Sequence, residues 1–339
     1  KKKFVIFMTD GIPSEICGYS NPVTYSCATG SEFKGFTGPT VRNFKKLAFY
    51  NSTLGYTVGS SGLMYMYNGT NWTNTSFIPS RASLYGIAFN KAGNIPYGFA
   101  VGTKLVGGTS YGVIYSWNRT GGWVENTTTS SPALFYSIDV WDYNRGIAVG
   151  VLGRIYKFCN NQWVSTPSPV DGSSVYLYDI KLNGNTAYAV GIMPLAGASC
   201  QDCCDESGNC IIWRSGTSKA IMIKGTLNIA TCTWTFANVS DPAIATLDYL
   251  SGIDLAYPVF STAYAGGNKM LYFDGTNWTI RGNSSGIENI DLYSSTLYPT
   301  SLWGIAIGHD LIVGPQDRIS LTTNPTEPWQ LVYTNNGEA

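Results

Sequence analysis

A short phrase recurs six times along this chain: a strand of small residues closing on glycine, a brief loop, a second strand ending near tyrosine, then a tryptophan. The copies are Gly55–Gly59 with Trp72, Gly98–Gly102 with Trp123, Gly146–Gly150 with Trp163, Ala187–Gly191 with Trp234, Ala263–Gly267 with Trp278, and Gly304–Gly308 with Trp329. Their closing glycines lie 43, 48, 41, 76 and 41 residues apart. A period of about 40–50 residues holding several short strands is that of an all-β propeller, each period forming one four-stranded antiparallel blade. Six copies predict six blades, with seven as the alternative. Such a fold hosts enzymes, lectins and assembly modules alike, so function has to be argued from sites.

The third copy is the plainest. Ser137-Ile138-Asp139-Val140-Trp141 alternates as an innermost strand, Asp142–Arg145 turns, and Gly146–Gly150 forms the second strand. Val151-Leu152-Gly153 leads into a third strand over Arg154–Phe158, and Asn160-Asn161-Gln162 into an edge strand over Trp163–Ser165. Strands joined by Gly- and Asn-containing turns are hairpins. The same frame places blades near residues 41–80, 81–131, 132–168, 172–240, 244–283 and 286–335 of a propeller covering 41–339. Residues 1–40 carry no copy and form an N-terminal extension. It holds a strand-like run (Lys2, Phe4, Val5, Ile6, Phe7, Met8) and a loop between Cys17 and Cys27. This segment either completes a blade, caps the ring, or pairs with a strand edge of a neighbouring subunit.

Formal net charge is zero and 12% of residues are charged, about half the usual share. No basic patch invites nucleic acid. No apolar run approaches the roughly 18–20 residues needed to cross a bilayer. Lys1-Lys2-Lys3 followed by Phe4–Met8 resembles the start of a signal peptide, but the apolar run is too short and no cleavage motif follows. The chain opens without Met, from which a longer precursor is expected.

Two features place the chain outside the cytoplasm. Nine Asn-X-Ser/Thr sequons occur, at Asn51, Asn68, Asn71, Asn74, Asn118, Asn126, Asn238, Asn277 and Asn283. Seven fall near the third-to-fourth strand turn or on the outermost strand, where N-linked glycans face solvent. Eight cysteines, at Cys17, Cys27, Cys159, Cys200, Cys203, Cys204, Cys210 and Cys232, are an even set suited to disulfides in an oxidising compartment. Five of them crowd between Cys200 and Cys232. The first four of these lie in an insertion after Gly191, which should emerge on the face carrying the blade-to-blade connections. Thr103 to Tyr111 is a smaller insertion at the same place in blade two. Cys17–Cys27 is a natural local pair, and the Cys-rich loop should be tied back to its blade through Cys232, with Cys159 on the neighbouring blade as a further anchor. The six cysteines other than Cys17 and Cys27 permit fifteen pairings, among which sequence does not choose.

Other constellations carry less chemistry. Asp139, Asp179, Asp254 and Asp291 recur on innermost strands, with Ala48 and Ala88 in their place in blades one and two. Four carboxylates around an axis suit Ca²⁺; the alternative is that each accepts backbone N–H groups of its own or the next blade. No other metal or cofactor is called for. His309 is the only histidine, in Gly308-His309-Asp310, and reads as a surface turn residue, which leaves a Ser-His-Asp mechanism unsupported. Nothing marks a particular carboxylate pair for glycoside hydrolysis.

The third copy, from Ile138-Asp139-Val140 through Gly146–Tyr156 to Trp163, resembles the BNR-type propeller repeat, most closely that of the photosystem II assembly factors and related secreted propellers. Asn68-Gly69-Thr70-Asn71-Trp72 and Asp274-Gly275-Thr276-Asn277-Trp278 resemble the Asp-box turn of sialidases and sortilins. The resemblance spans roughly residues 41–335 and implies fold. The assembly factors imply seven blades. Sialidases require an arginine triad and a Tyr/Glu pair. Arg42, Arg81, Arg119, Arg145, Arg154, Arg214, Arg281 and Arg318 form no recognisable triad.

The expected function is therefore a secreted, glycosylated, non-enzymatic propeller. It would act as a surface or assembly module through self-association or other surface proteins, in its strongest form as a filament or layer subunit joined through residues 1–40. The alternative is a carbohydrate-binding or glycoside-cleaving propeller with its site on the face of the Cys-rich loop. Residues 1–50 and 127–237 lack sequons and are candidate contact surfaces.

Overall fold

In the computed structural model the described residues are 24–26, 32–34, 44–51, 53–75, 82–93, 95–118, 122–170, 175–195, 218–240, 244, 247, 249–250, 252–255, 263–266, 271–273, 278–280, 290–298, 303–310, 317–322 and 330–334. Side chains are described within 44–255, Asp254 excepted, and at Leu271. The run Lys2–Met8, Cys17 and Cys27, the cysteines 200–210, and Asn277 and Asn283 lie outside these residues.

The described strands form six four-stranded antiparallel sheets, each a simple meander, plus one two-stranded pair. Blade one comprises Phe44–Asn51, Leu54–Gly59, Met64–Tyr67 and Trp72–Asn74; blade two, Ser83–Phe89, Tyr97–Val106, Thr109–Asn118 and Gly122–Pro132. Blade three comprises Phe135–Asp142, Arg145–Gly150, Ile155–Cys159 and Gln162–Thr166; blade four, Tyr176–Asn183, Thr186–Pro194, Ser218–Asn228 and Thr233–Asn238. Blade five comprises Gly252–Leu255, Ala263–Gly266, Leu271–Phe273 and Trp278–Ile280; blade six, Ile290–Tyr298, Trp303–Asp310, Asp317–Thr322 and Gln330–Thr334. Thr24–Ser26 pairs with Glu32–Lys34 inside the N-terminal extension. Each first strand contacts the first strand of the next blade from blade one through blade six, so the first strands are the innermost. This is a β-propeller. His309 sits within a strand, opposite Asp291 and Asp317, rather than in the expected turn.

The closing glycine has a steric cause. In five blades the innermost strand carries one extra residue at its beginning: Lys45, Tyr85, Tyr136, Tyr178 and Tyr293 each fall at a register shift. The residue just before each bulge lies opposite a closing glycine, as in Leu84↔Gly102, Phe135↔Gly150 and Leu177↔Gly191. A β-bulge bends its strand toward its partner. A Cβ on Gly102, Gly150 or Gly191 would sit 1.9 Å from the carbonyl oxygen of Ser83, Leu134 or Tyr176. Only glycine fits that approach.

Trp123, Trp163 and Trp234 bind blade to blade. Trp163, on the edge strand of blade three, meets Phe99 of blade two edge-on at 5.1 Å. Trp123 meets Tyr56 of blade one at 5.4 Å in the same way. Phe99 and Tyr56 occupy the second position of the recurring phrase, so the phrase and its tryptophan are two halves of one inter-blade contact. The buried clusters accordingly join blades one and two, two and three, three and four, and four and five. Second strands are buried on both faces, as the pattern of Arg145–Gly150 shows, and so read as continuous small apolar runs. Edge strands alternate: Trp163 is buried and Val164 exposed.

The Thr103–Tyr111 insertion lengthens the second and third strands of blade two, which pair along it and close at Gly107-Gly108. Both glycines have positive φ, 57° and 84°, which favours glycine over residues with a Cβ.

Candidate functional site

A meander of four strands sends the first-to-second and third-to-fourth turns to one face. The second-to-third turns and blade-to-blade connections go to the other. The bulges and closing glycines line the second of these faces at the channel mouth, where Tyr136 contacts Tyr85 at 6.1 Å and Tyr178 at 5.4 Å.

On the innermost strands the four recurring aspartates do not share one register level, which corrects their reading as a single ring. Asp139 lies opposite Ile147 and Asp254 opposite Tyr264, both the second residue of the phrase, as do Ala48 and Ala88. Asp179 lies opposite Val190, two places further along, level with Ser137 and Lys46, and Asp291 lies opposite His309 beyond the closing glycine. Counted from the bulge, Asp139 stands three residues after Tyr136 whereas Asp179 directly follows Tyr178, so the two occupy different levels. Asp139 accepts the Leu182 N–H at 2.6 Å and the Lys91 ammonium at 2.5 Å. Asp179 accepts the Ser137 hydroxyl at 2.5 Å and the Ile253 N–H at 3.1 Å. Lys46 of blade one reaches Asp179 of blade four at 3.5 Å. Burial works to raise the Asp179 pKa, but Lys46, Lys181 and its two hydrogen bonds outweigh it and hold the carboxyl below the usual range. These two carboxylates are occupied with joining blades. Among the described residues no cluster of three or more His, Cys, Asp or Glu is placed to hold a metal.

On the opposite face lies a cleft of about 620 Å³ among the turns of blades two, three and four. Its first wall is the turn 90–96. The Asn90 side-chain amide donates to the carbonyls of Ala92 and Ile95, and its oxygen accepts the Tyr97 N–H, which holds Ile95 outward. Backbone N–H groups of Lys91 and Ala92 donate to Trp141 O, seating this turn on blade three. The second wall is Asp142–Arg145. The Arg145 guanidinium grips Asp142 and donates to Asn185 Oδ1 of blade four at 2.8 Å. The third wall is the turn 227–232, fixed by a disulfide between Cys159 and Cys232.

Ile95, Ile229 and Tyr143 are 77%, 65% and 58% exposed around the cleft. Behind Tyr143 lies Tyr97, 8% exposed, their rings edge-on at 5.3 Å. The Tyr97 hydroxyl is buried with no hydrogen-bond partner among the described residues. Burial, with the nearby Asp142 and Tyr143, pushes its pKa well above the ordinary phenol value despite Arg145, so it stays protonated.

The disulfide corrects one expectation. Cys159 and Cys232 pair with each other across adjacent blades and do not anchor the Cys-rich loop, because their turns share one face while the second and third strands of blade four, ending at Pro194 and starting at Ser218, send that loop out of the other. The seven described sequon asparagines, Asn51, Asn68, Asn71, Asn74, Asn118, Asn126 and Asn238, are all exposed. At the Asp-box-like turn, Asn68 Oδ1 accepts the N–H groups of Thr70 and Asn71, and Gly69 has φ 95°. None of the sequons lies in the cleft walls. Sequence reading missed the cleft, whose only sequence signal was the sequon-free stretch 127–237, and it missed the recurring bulge tyrosines. No helix among the described residues is long and apolar enough to cross a membrane.

No protein-family model matches the sequence, and no curated protein matches it either. Solved structures do resemble it. A structure of YCF48 bound to D1 peptide aligns over 87% of this chain and 82% of its own, at 11% identity and a TM-score of 0.54. YCF48 from Cyanidioschyzon merolae aligns over 86% of each chain at 12% identity and 0.53. A Synechocystis apocarotenoid oxygenase variant aligns over 88% of this chain and 73% of its own at 9% identity and 0.55. At such low identity the likeness is one of fold: the chain shares the β-propeller architecture of the photosystem II assembly factor YCF48.

Proposed function

We propose that this chain is a secreted, N-glycosylated, non-enzymatic propeller that docks protein segments at a cell surface or in an extracellular assembly. The observation that carries the reading is the cleft, with its exposed apolar rim on a part of the chain free of sequons. The sequons of blades one and two and of the edge of blade four all stand outside the cleft walls. An inter-blade disulfide suits an oxidising compartment. The peptide in the YCF48 structure is a precedent for peptide docking on this architecture. Catalysis is disfavoured because Asp139 and Asp179 are engaged in joining blades.

In its strongest form the protein is a filament or layer subunit, in which Lys2, Phe4, Val5, Ile6, Phe7 and Met8 meet a neighbouring copy. A head-to-tail contact of that kind does not close on itself and builds fibres. A second reading, glycan binding at the opposite face, draws on the Tyr85–Tyr136–Tyr178 collar. Electron microscopy of natively purified material, with intact mass before and after enzymatic deglycosylation, tests the proposal. Regular assemblies of a glycosylated chain, lost when residues 1–40 are deleted, support it. An unglycosylated, monomeric protein that binds sugars would replace it with the second reading.

A further inference from the structure

Resting on the docking reading, we infer that the cleft among blades two, three and four takes a neutral, extended peptide. Such a peptide presents one or two bulky apolar side chains to Ile95, Tyr143 and Ile229 and a backbone carbonyl to the Tyr97 hydroxyl. Three properties of the walls select this occupant. Asp142 and Arg145, the only charged residues of the lining, form an ion pair in which Arg145 also donates to Asn185, so the lining side chains carry no net charge. Asn90 spends its side chain within its own turn. A sugar, whose hydroxyls each need a partner, would leave those facing Ile95 and Ile229 unmet. The apolar rim gains from burial instead, and a cleft of about 620 Å³ is within the range that holds a short segment.

The Tyr97 hydroxyl decides between a greasy patch and a recognition site. A buried phenol with no acceptor among the described residues is unfavourable in the free protein. Tyr143, exposed and on a turn, covers it; a shift of that ring on binding, of the kind common at interfaces, opens the hydroxyl to a peptide carbonyl. Because Tyr97 stays protonated, it donates. A peptide carbonyl is the acceptor that accompanies an apolar side chain at every residue.

The test selects from a displayed library of random 12-residue peptides on the full glycosylated chain, then measures the enriched peptides in solution. Expected are neutral sequences with one or two Leu, Ile, Phe or Tyr residues. Their affinity should fall at least about tenfold in Ile229→Asp and about two- to tenfold in Tyr97→Phe. Ile229 is exposed, and Tyr97→Phe removes only an unpaired hydroxyl, so both variants should fold, as thermal melts would show. Enriched peptides that are strongly charged, or that bind Ile229→Asp unchanged, overturn the proposal. So does an array glycan whose binding is lost in Ile229→Asp. Native assemblies that persist in Ile229→Asp while peptide binding also persists would remove the cleft as the contact and leave the docking reading standing.

Discussion

The two faces of this propeller are built from the same strands and behave differently along the chain. At the bulged face, blades repeat one device: an extra residue on the innermost strand drives a carbonyl into the partner strand, and a glycine receives it. At the cleft face, blades two, three and four each end in a different turn, stabilised by a different side chain: Asn90, the Asp142–Arg145 pair, and Cys232. Repetition marks what every blade needs in order to close against its neighbour. Departure from repetition marks the surface where blades have separate tasks, and there Ile95, Tyr143 and Ile229 are exposed together around one cleft.

The contrast is sharpest in energetic terms. Trp163→Ala should cost about 3–5 kcal/mol, since the indole fills the seam between blades two and three. Chemical denaturation would show it, and a loss under 1 kcal/mol would mean that the seam is loosely packed. Gly150→Ala should cost about 3 kcal/mol, because its Cβ collides with backbone rather than with a movable side chain. A neutral outcome would show that the bulge is not held in place. Asp179→Asn should cost about 1–3 kcal/mol at neutral pH by weakening the Ser137 and Ile253 hydrogen bonds and the Lys46 pair. The Asp179 pKa is lowered by folding, so its contribution is present above the unfolded carboxyl range, near 4, and fades as pH falls through the folded value. Acid unfolding curves of wild type should therefore be steeper below about pH 4 than those of Asp179→Asn. Ile229→Asp, at the cleft, should change stability by less than about 0.5 kcal/mol. If it unfolds the protein, the two faces are not divided as described.

Most of the fold was legible because its devices repeat. The third blade was read as strands 137–141, 146–150, 154–158 and 163–165 and runs 135–142, 145–150, 155–159 and 162–166. The second repeating signal was equally present and went unread: Leu84-Tyr85-Gly86-Ile87, Phe135-Tyr136-Ser137-Ile138 and Leu177-Tyr178-Asp179-Ile180 mark the bulge in three blades. Without it Asp139 and Asp179 looked equivalent, and a ring of carboxylates seemed available for Ca²⁺. The cleft was hidden for another reason. Its walls come from turns near residues 90, 143 and 230, and nothing in their local patterns states that they meet.

By itself the sequence determined the β-propeller, its meander of small-residue strands, and the place of each glycine and tryptophan, because a blade is a local object whose pattern lies within about 45 residues. Tertiary structure alone decided the bulge register, the pairing of Cys159 with Cys232, the Lys46–Asp179 contact across the channel and the cleft. Those depend on how one blade is set against another, and contacts between residues 70 or more positions apart are fixed by packing rather than by any periodicity a chain displays.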